Sequence, residues 1–244
     1  MTKLFEEDFT LNNYRRLIRL AKGKFAFSQY HNYEEHENFI LWRHDIDLSV
    51  EYSLKLAKIE KEEGVIATYF VLPHSEFYSP FESQSLDLLH EIQDLGHEIG
   101  IHYDTHFYHV SNEVALEFNL EKEKTLFKEV LGFEPKVFSY HNPDAFVLSC
   151  DKEYYAGLKN TYAKKIMESV PYCSDSNGYW RYDRLEDKLL NPEIKNMQVL
   201  THPEWWQEEV NRPSERIKKL IYSRADRNWK NYSESLARFG RENY

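Results

Sequence analysis

Residues 43–47 read Arg-His-Asp-Ile-Asp and directly follow the apolar run Phe-Ile-Leu-Trp. Burying unpaired charge is expensive, so a cation, an imidazole and two carboxylates at the end of a core strand either sit in a solvated loop or hold something. In an extended segment Asp45 and Asp47 point to the same side, with Cα atoms about 7 Å apart. Two carboxylates that close raise each other's pKa unless a cation intervenes. A metal bound by one would relieve the conflict and leave the other free as a base. The plain alternative is a polar loop in which an aspartate caps the next helix.

Residues 102–106, His-Tyr-Asp-Thr-His, carry the second group. In a continuous strand the two imidazoles would be about 13 Å apart, so sharing an ion requires the strand to break there. Two imidazoles and a carboxylate form a familiar catalytic zinc set with a position open for water. Asp104, between them, would compete as a ligand or orient one. The alternative is two solvated loop histidines. His202 follows Val-Leu-Thr and precedes Pro-Glu-Trp-Trp. Its near-neutral pKa suits proton donation, and Asp175 is placed to orient it. His74 and His141 also fall at expected strand ends. Asn177-Gly178 reads as a turn, and Trp180, Trp205 and Trp206 as either pocket wall or core.

The elements that must position these residues are legible in outline. Strands are expected at 39–47, 66–73, 98–103, 136–141, 172–176 and 197–202, with a weaker one at 158–162. Helices are expected near 14–22, from 49 to Gly64, over 112–131, and from Pro213 towards Phe239. Another should start at Ser79-Pro80-Phe81-Glu82, a capping box with proline in the first turn, and stop at Gly96. Alternation of strands and helices predicts an α/β fold: a distorted (β/α) barrel of six to seven parallel strands, with the site at the strand C-termini. No linker or repeat divides the 244 residues, so a single domain is expected, with a motif-bearing core over 39–206 and a C-terminal helical segment over 212–239.

Composition narrows the function. The net charge of −10 and the absence of a basic stripe argue against nucleic acid. Two distant cysteines argue against a disulfide scaffold or a thiolate zinc site and fit a reducing compartment. No run approaches the roughly 18 apolar residues of a membrane span. The N-terminal stretch has acidic residues where a signal peptide would be apolar, so a cytoplasmic location is expected.

Taken together, Arg-His-Asp-Ile-Asp, Gly-His-Glu-Ile-Gly-Ile-His-Tyr-Asp-Thr-His, Val-Phe-Ser-Tyr-His-Asn-Pro, Ser-Asp-Ser-Asn-Gly-Tyr-Trp and Val-Leu-Thr-His-Pro resemble, in order, the motifs of the polysaccharide deacetylase family, carbohydrate esterase family 4. The resemblance covers roughly residues 39–206. It implies a metal-dependent deacetylase of N-acetylated sugars or glycan precursors. Asp47, His102 and His106 would hold one divalent metal, most often zinc; Asp45 would be the base, His202 the acid and Asp175 its support. His74, His141, Asn177 and Trp180 are expected to contact substrate. The chain departs from the family in two places. The usual adjacent aspartates are spaced as Asp-Ile-Asp, so base and ligand could be exchanged. The third motif has Ser139, Tyr140 and His141 where the family supplies an arginine to hold the base; Arg43 could substitute, or His141 contact substrate. An amidohydrolase of a cyclic imide or small amide, and a non-catalytic glycan-binding relative, fit the same motifs.

Overall fold

The computed structural model describes residues 5–180 and 182–244. In chain order the elements are α1 (Leu11–Lys22), β1 (Ala26–Ser28), β2 (Phe39–Ile46), α2 (Val50–Glu63), β3 (Thr68–Val71), α3 (Ser83–Asp94), β4 (Glu98–Tyr103), α4 (Glu113–Leu126), β5 (Val137–Tyr140), α5 (Ala145–Ser149), β6 (Tyr154–Tyr155), β7 (Leu158–Asn160), α6 (Lys164–Ser169), β8 (Tyr172–Ser174), α7 (Leu185–Leu190), β9 (Met197–Thr201) and α8 (Pro213–Arg238). The sheet order is β6-β7-β5-β4-β3-β2-β9-β8, with β1 beside the start of β2. Every pairing is parallel except the β6–β7 hairpin. Edge strands β6 and β8 do not pair with each other, so the sheet curls into a half-barrel.

All seven expected strands form, and β2, the longest, lies near the centre. Strand alternation sends its residues to two different cores. Ile40, Trp42 and Ile46 join the large cluster under the helices, whereas Phe39 and Leu41 join a smaller cluster inside the curl with Phe70, Val137 and Ile166. The inward face of β2 is therefore apolar at its start and becomes Arg43 and Asp45 at its end.

Local chemistry sets the helix ends. Thr10, Ser49 and Asn112 accept backbone N–H groups of Asn13, Tyr52 and Ala115 at the starts of α1, α2 and α4. Because Ser49 caps α2, Asp45 and Asp47 are not used for that purpose. Gly64 ends α2 at φ 70°, the left-handed turn a glycine makes without steric cost. One helix start is corrected. α3 begins at Ser83, not at Pro80, and the Ser79–Glu82 capping box does not form. Ser79 Oγ accepts Phe81 N–H in a tight turn, and the Glu82 carboxylate is taken by the Arg224 guanidinium. β1 and β6 were not anticipated; three and two residues are too short to show a period. Among the described residues no helix is long and apolar enough to cross a membrane.

Candidate active site

The C-terminal ends of β2, β4, β5 and β9 bring Asp45, Asp47, His102, His141 and His202 together. Asp47 Oδ1 lies 3.1 Å from His102 Nε2 and 3.5 Å from His141 Nδ1, and those two nitrogens are 3.2 Å apart. A tetrahedral ion with ligand bonds of about 2.0–2.1 Å separates its donor atoms by about 3.4 Å. The three atoms thus form a triangle of the size that one face of such a site requires. Two carboxylate atoms of this group, Asp45 Oδ1 and Asp47 Oδ1, are buried with no well-formed hydrogen bond among the described residues. Buried polar atoms are ordinarily paired, so the arrangement is incomplete without a further group. An oxygen and two imidazole nitrogens suit zinc or a similar divalent ion.

This group includes His141 and not His106. β4 continues to Tyr103, and the turn after it is closed by Asp104, whose Oδ1 accepts the N–H groups of His106 and Phe107 at 2.8 and 3.3 Å. His106 is exposed on that turn, with Nε2 3.1 Å from the Asn142 carbonyl oxygen. His141, expected to contact substrate, enters because β5 lies beside β4 in a register that pairs Ser139 with His102 and Tyr140 with Tyr103. The sequence signal was present in His141 at the end of the Val-Phe-Ser-Tyr strand. Spacing within one motif cannot show which neighbouring strand will deliver a third side chain.

Arg43 lies fully buried behind Asp45. Its Nη2 donates to Asp45 Oδ2 and to Ser139 Oγ, both at 2.8 Å, and its Nη1 to Thr161 Oγ1 at 2.8 Å. The guanidinium sits between the rings of Phe70 and Tyr162, 5.3 Å from each centroid. The arginine that holds the inner aspartate therefore comes from the same strand, two residues earlier. Asp45 Oδ2 is also 3.7 Å from His102 Nε2.

On the β9 side, His202 Nδ1 is 2.7 Å from Asp175 Oδ1, and both Asp175 oxygens accept the His202 backbone N–H at 3.0 Å. Trp206 Nε1 donates to Asp175 Oδ2 at 2.9 Å. His202 Nε2 faces Asp47 Oδ2 at 3.8 Å. Burial disfavours the imidazolium, but the hydrogen bond and charge of Asp175, aided by Asp47, override it and raise His202 to about 10. Burial likewise pushes Asp47 up, yet its contacts with His102 and His141 and the charge of His202 hold it well below the usual carboxylate range. His141 is raised: burial works against its charged form, and Asp47 outweighs that. Glu204, not anticipated from sequence, is buried beside these groups, and desolvation drives its pKa well above the ordinary value.

An open cleft of about 540 Å³ leads to the group, lined among others by Asp47, His74, Phe77, Asp104, Phe107 and His141. His74 stacks face to face on Phe107, with centroids 3.6 Å apart, and its Nε2 is 3.1 Å from both Glu123 Oε1 and Tyr108 Oη. Among the described residues, no lysine or arginine lines this cleft. Two expected contact residues lie elsewhere. Trp180 is in the core, stacked on Phe9, with its indole N–H donating to Asp8 Oδ2. Asn177 forms an exposed left-handed turn at φ 61°. Gly178, also left-handed at φ 74°, leaves room for Trp205, whose ring would lie 2.7 Å from an added Cβ. Trp205 and Trp206 are buried.

No family model matches the chain, and no curated protein matches it. Solved structures do. A Streptococcus mutans CE4 esterase superposes with a TM-score of 0.51 at 16% identity, covering 85% of this chain and 90% of that one. The chitin deacetylase of Colletotrichum lindemuthianum gives 0.47 at 16% identity, with 76% and 81% covered. The peptidoglycan deacetylase PdaC of Bacillus subtilis gives 0.47 at 16% identity, with 83% and 97% covered. The fold is thus that of the family 4 carbohydrate esterases, the family whose motifs the sequence resembles. At this identity the likeness is one of fold, so the chemistry rests on the chain's own residues.

Proposed function

We propose that the protein is a metal-dependent hydrolase that removes the acetyl group from an N-acetylated glycan. The observation that carries this reading is the convergence of Asp47, His102 and His141 on one point, flanked by Asp45 on its arginine and by His202 on Asp175. A divalent metal held by Asp47, His102 and His141 would polarise the acyl oxygen and lower the pKa of water.

The remaining steps belong to the chain. Asp45, held by Arg43 and Ser139, accepts the proton of the attacking water. His202, kept protonated at neutral pH by Asp175, gives its Nε2 proton to the departing amine. Asp175 fixes the imidazole by accepting from both its backbone N–H and its Nδ1–H, which leaves Nε2 directed at the site. His106, exposed on the turn after β4 with its Nε2 against the Asn142 carbonyl, is not among the converging groups, and its variant separates the two assignments. Phe107, backed by the His74 ring, offers an exposed aromatic face for a sugar ring. Among the described residues the cleft presents the carboxylates of Asp47, Glu76 and Asp104 and no lysine or arginine, a lining that favours an uncharged glycan over a phosphate-bearing precursor.

The test is acetate release from N-acetylated oligosaccharides by protein supplied with zinc, alongside Asp45→Asn and His202→Ala. Release that depends on both residues supports the reading. Release unchanged in Asp45→Asn, or none from any N-acetylated glycan with metal bound, would overturn it.

A further inference from the structure

Helix α8 has one face that the other described residues leave largely exposed, with Leu236 half-buried on it. Its opposite face is fixed to the body: Leu220 is buried, Arg224 pairs with Glu82, and Arg227 pairs with Glu51. With that face held, the helix cannot roll to bury the other side on its own domain. The outward side carries Tyr222, Ala225, Trp229, Tyr232, Leu236 and Phe239 at alternating steps of three and four residues. This is the seven-residue repeat by which one helix packs along another. Tyr222, Trp229, Tyr232 and Phe239 are 59%, 65%, 55% and 71% exposed.

The residues beside the stripe indicate what covers it. A helix that lies on an anionic lipid surface carries cations along the edges of its apolar face. Here the edges are Ile221, Asn228 and Ser235 on one side and Asp226 and Ser233 on the other. Arg224 and Arg227 are on the back face, already paired with the body. Charge-poor edges allow two identical stripes to meet without repulsion.

We propose that α8 is a self-association surface on which a second copy of this chain packs its own α8 antiparallel, about a two-fold axis between Trp229 and Tyr232. In that register Tyr222 meets Phe239, Ala225 meets Leu236, and Trp229 meets Tyr232, each twice. The small residue faces the large aliphatic one, whereas a parallel pair would set Ala225 against Ala225 and leave a gap. Asp226 lies beside Ser233, not beside another carboxylate. The stripe from 222 to 239 is about 27 Å long. At about 150–250 Å² per aromatic side chain, its exposed portions supply on the order of 500 Å² per copy. That is below the roughly 800 Å² per partner of a standard interface and predicts a weak, concentration-dependent dimer.

Sedimentation velocity on the full chain from about 1 to 200 μM should show a monomer–dimer equilibrium with a dissociation constant on the order of micromolar. Trp229→Glu, at an exposed position, should weaken it at least about tenfold with the melting temperature unchanged. The orientation has its own readout. Mixing Asp226→Cys with Ser233→Cys under mild oxidation should give a cross-linked heterodimer in preference to either self-link; the native Cys150 and Cys173 are buried. A chain that stays monomeric throughout this range would overturn the proposal. So would a dimer indifferent to Trp229→Glu, or a monomer that sediments with phosphatidylserine vesicles. Self-links in preference to the heterodimer would overturn the antiparallel register.

Discussion

Strand β2 carries a buried polar cluster on each face, and the two differ in how completely they are satisfied. On the helix-covered face Glu60 accepts from Tyr14, from His44 at 2.7 Å and from Tyr69 at 2.7 Å, while Trp42 donates to Tyr14 and His44 Nδ1 meets Thr201. His97 closes the cluster by accepting from Ala67 N–H and meeting the Ala57 carbonyl. Burial pushes Glu60 up, but His44 and the other donors bring its pKa below the ordinary value. On the inward face, one residue along the strand, Asp45, Asp47 and His102 keep buried atoms with no well-formed hydrogen bond among the described residues, and Asp47 lines an open cleft. A satisfied network specifies packing, whereas an unsatisfied one that faces solvent is poised to take a ligand.

Substitutions on the inward face should have the largest effect. Asp47→Ala should remove bound metal and lower deacetylation by at least about a thousand-fold, since it deletes both a ligand and the Lewis-acid chemistry that depends on it. Elemental analysis and acetate release read both effects, and the variant should fold normally. Glu60→Ala should do the reverse. It leaves three buried donors without an acceptor and should destabilise the domain by about 3–5 kcal/mol, the cost of breaking a buried charged pair. Chemical denaturation would measure this, with metal stoichiometry of the folded fraction unchanged. If Glu60→Ala instead lost metal at unchanged stability, the distinction between the two clusters would fail.

Asp175→Asn should have a smaller and pH-dependent effect. His202 must be protonated to act as an acid. Its pKa is raised to about 10, so the acid form persists through neutral pH and is lost as pH rises through that value. Without the Asp175 charge that pKa falls, and the alkaline limb of the rate profile should move to lower pH, with a loss of about 10–100-fold at pH 8. An unmoved limb would mean that another group supplies the proton. Phe107→Ala should act least, raising KM for oligosaccharides a few-fold, the worth of one stacking contact at an exposed site, while metal content stays the same.

The same strand shows how much was legible beforehand. Alternation was enough to place Asp45 and Asp47 on one side, and strand-end logic gathered His102, His141 and His202 at one edge of the sheet. The seven main strands, the glycine end of α2 and the start of α4 followed from apolar runs and turn residues, whereas α4 as an α-helix stops at Leu126, short of the expected 131. What escaped depends on contacts between distant segments. His44 was read with the aspartates as one group of residues, but its partner Glu60 arrives from α2 on the opposite face. His141 joins Asp47 and His102 through the register of β5 against β4. The α3 capping box gave way because Arg224, more than a hundred residues away, takes Glu82. Trp180 was open between pocket and core until Asp8 and Phe9 enclosed it. None of these partners has a fixed spacing from its target.

The proposed function requires the inward cluster to hold one divalent metal. The most direct test is elemental analysis of protein purified without a histidine tag, together with His102→Ala, His141→Ala and His106→Ala. About one equivalent of zinc or a similar metal in the parent protein, lost in His102→Ala and His141→Ala and retained in His106→Ala, is the predicted result. No metal in the parent protein even after zinc is added, or retention in His102→Ala, would contradict it.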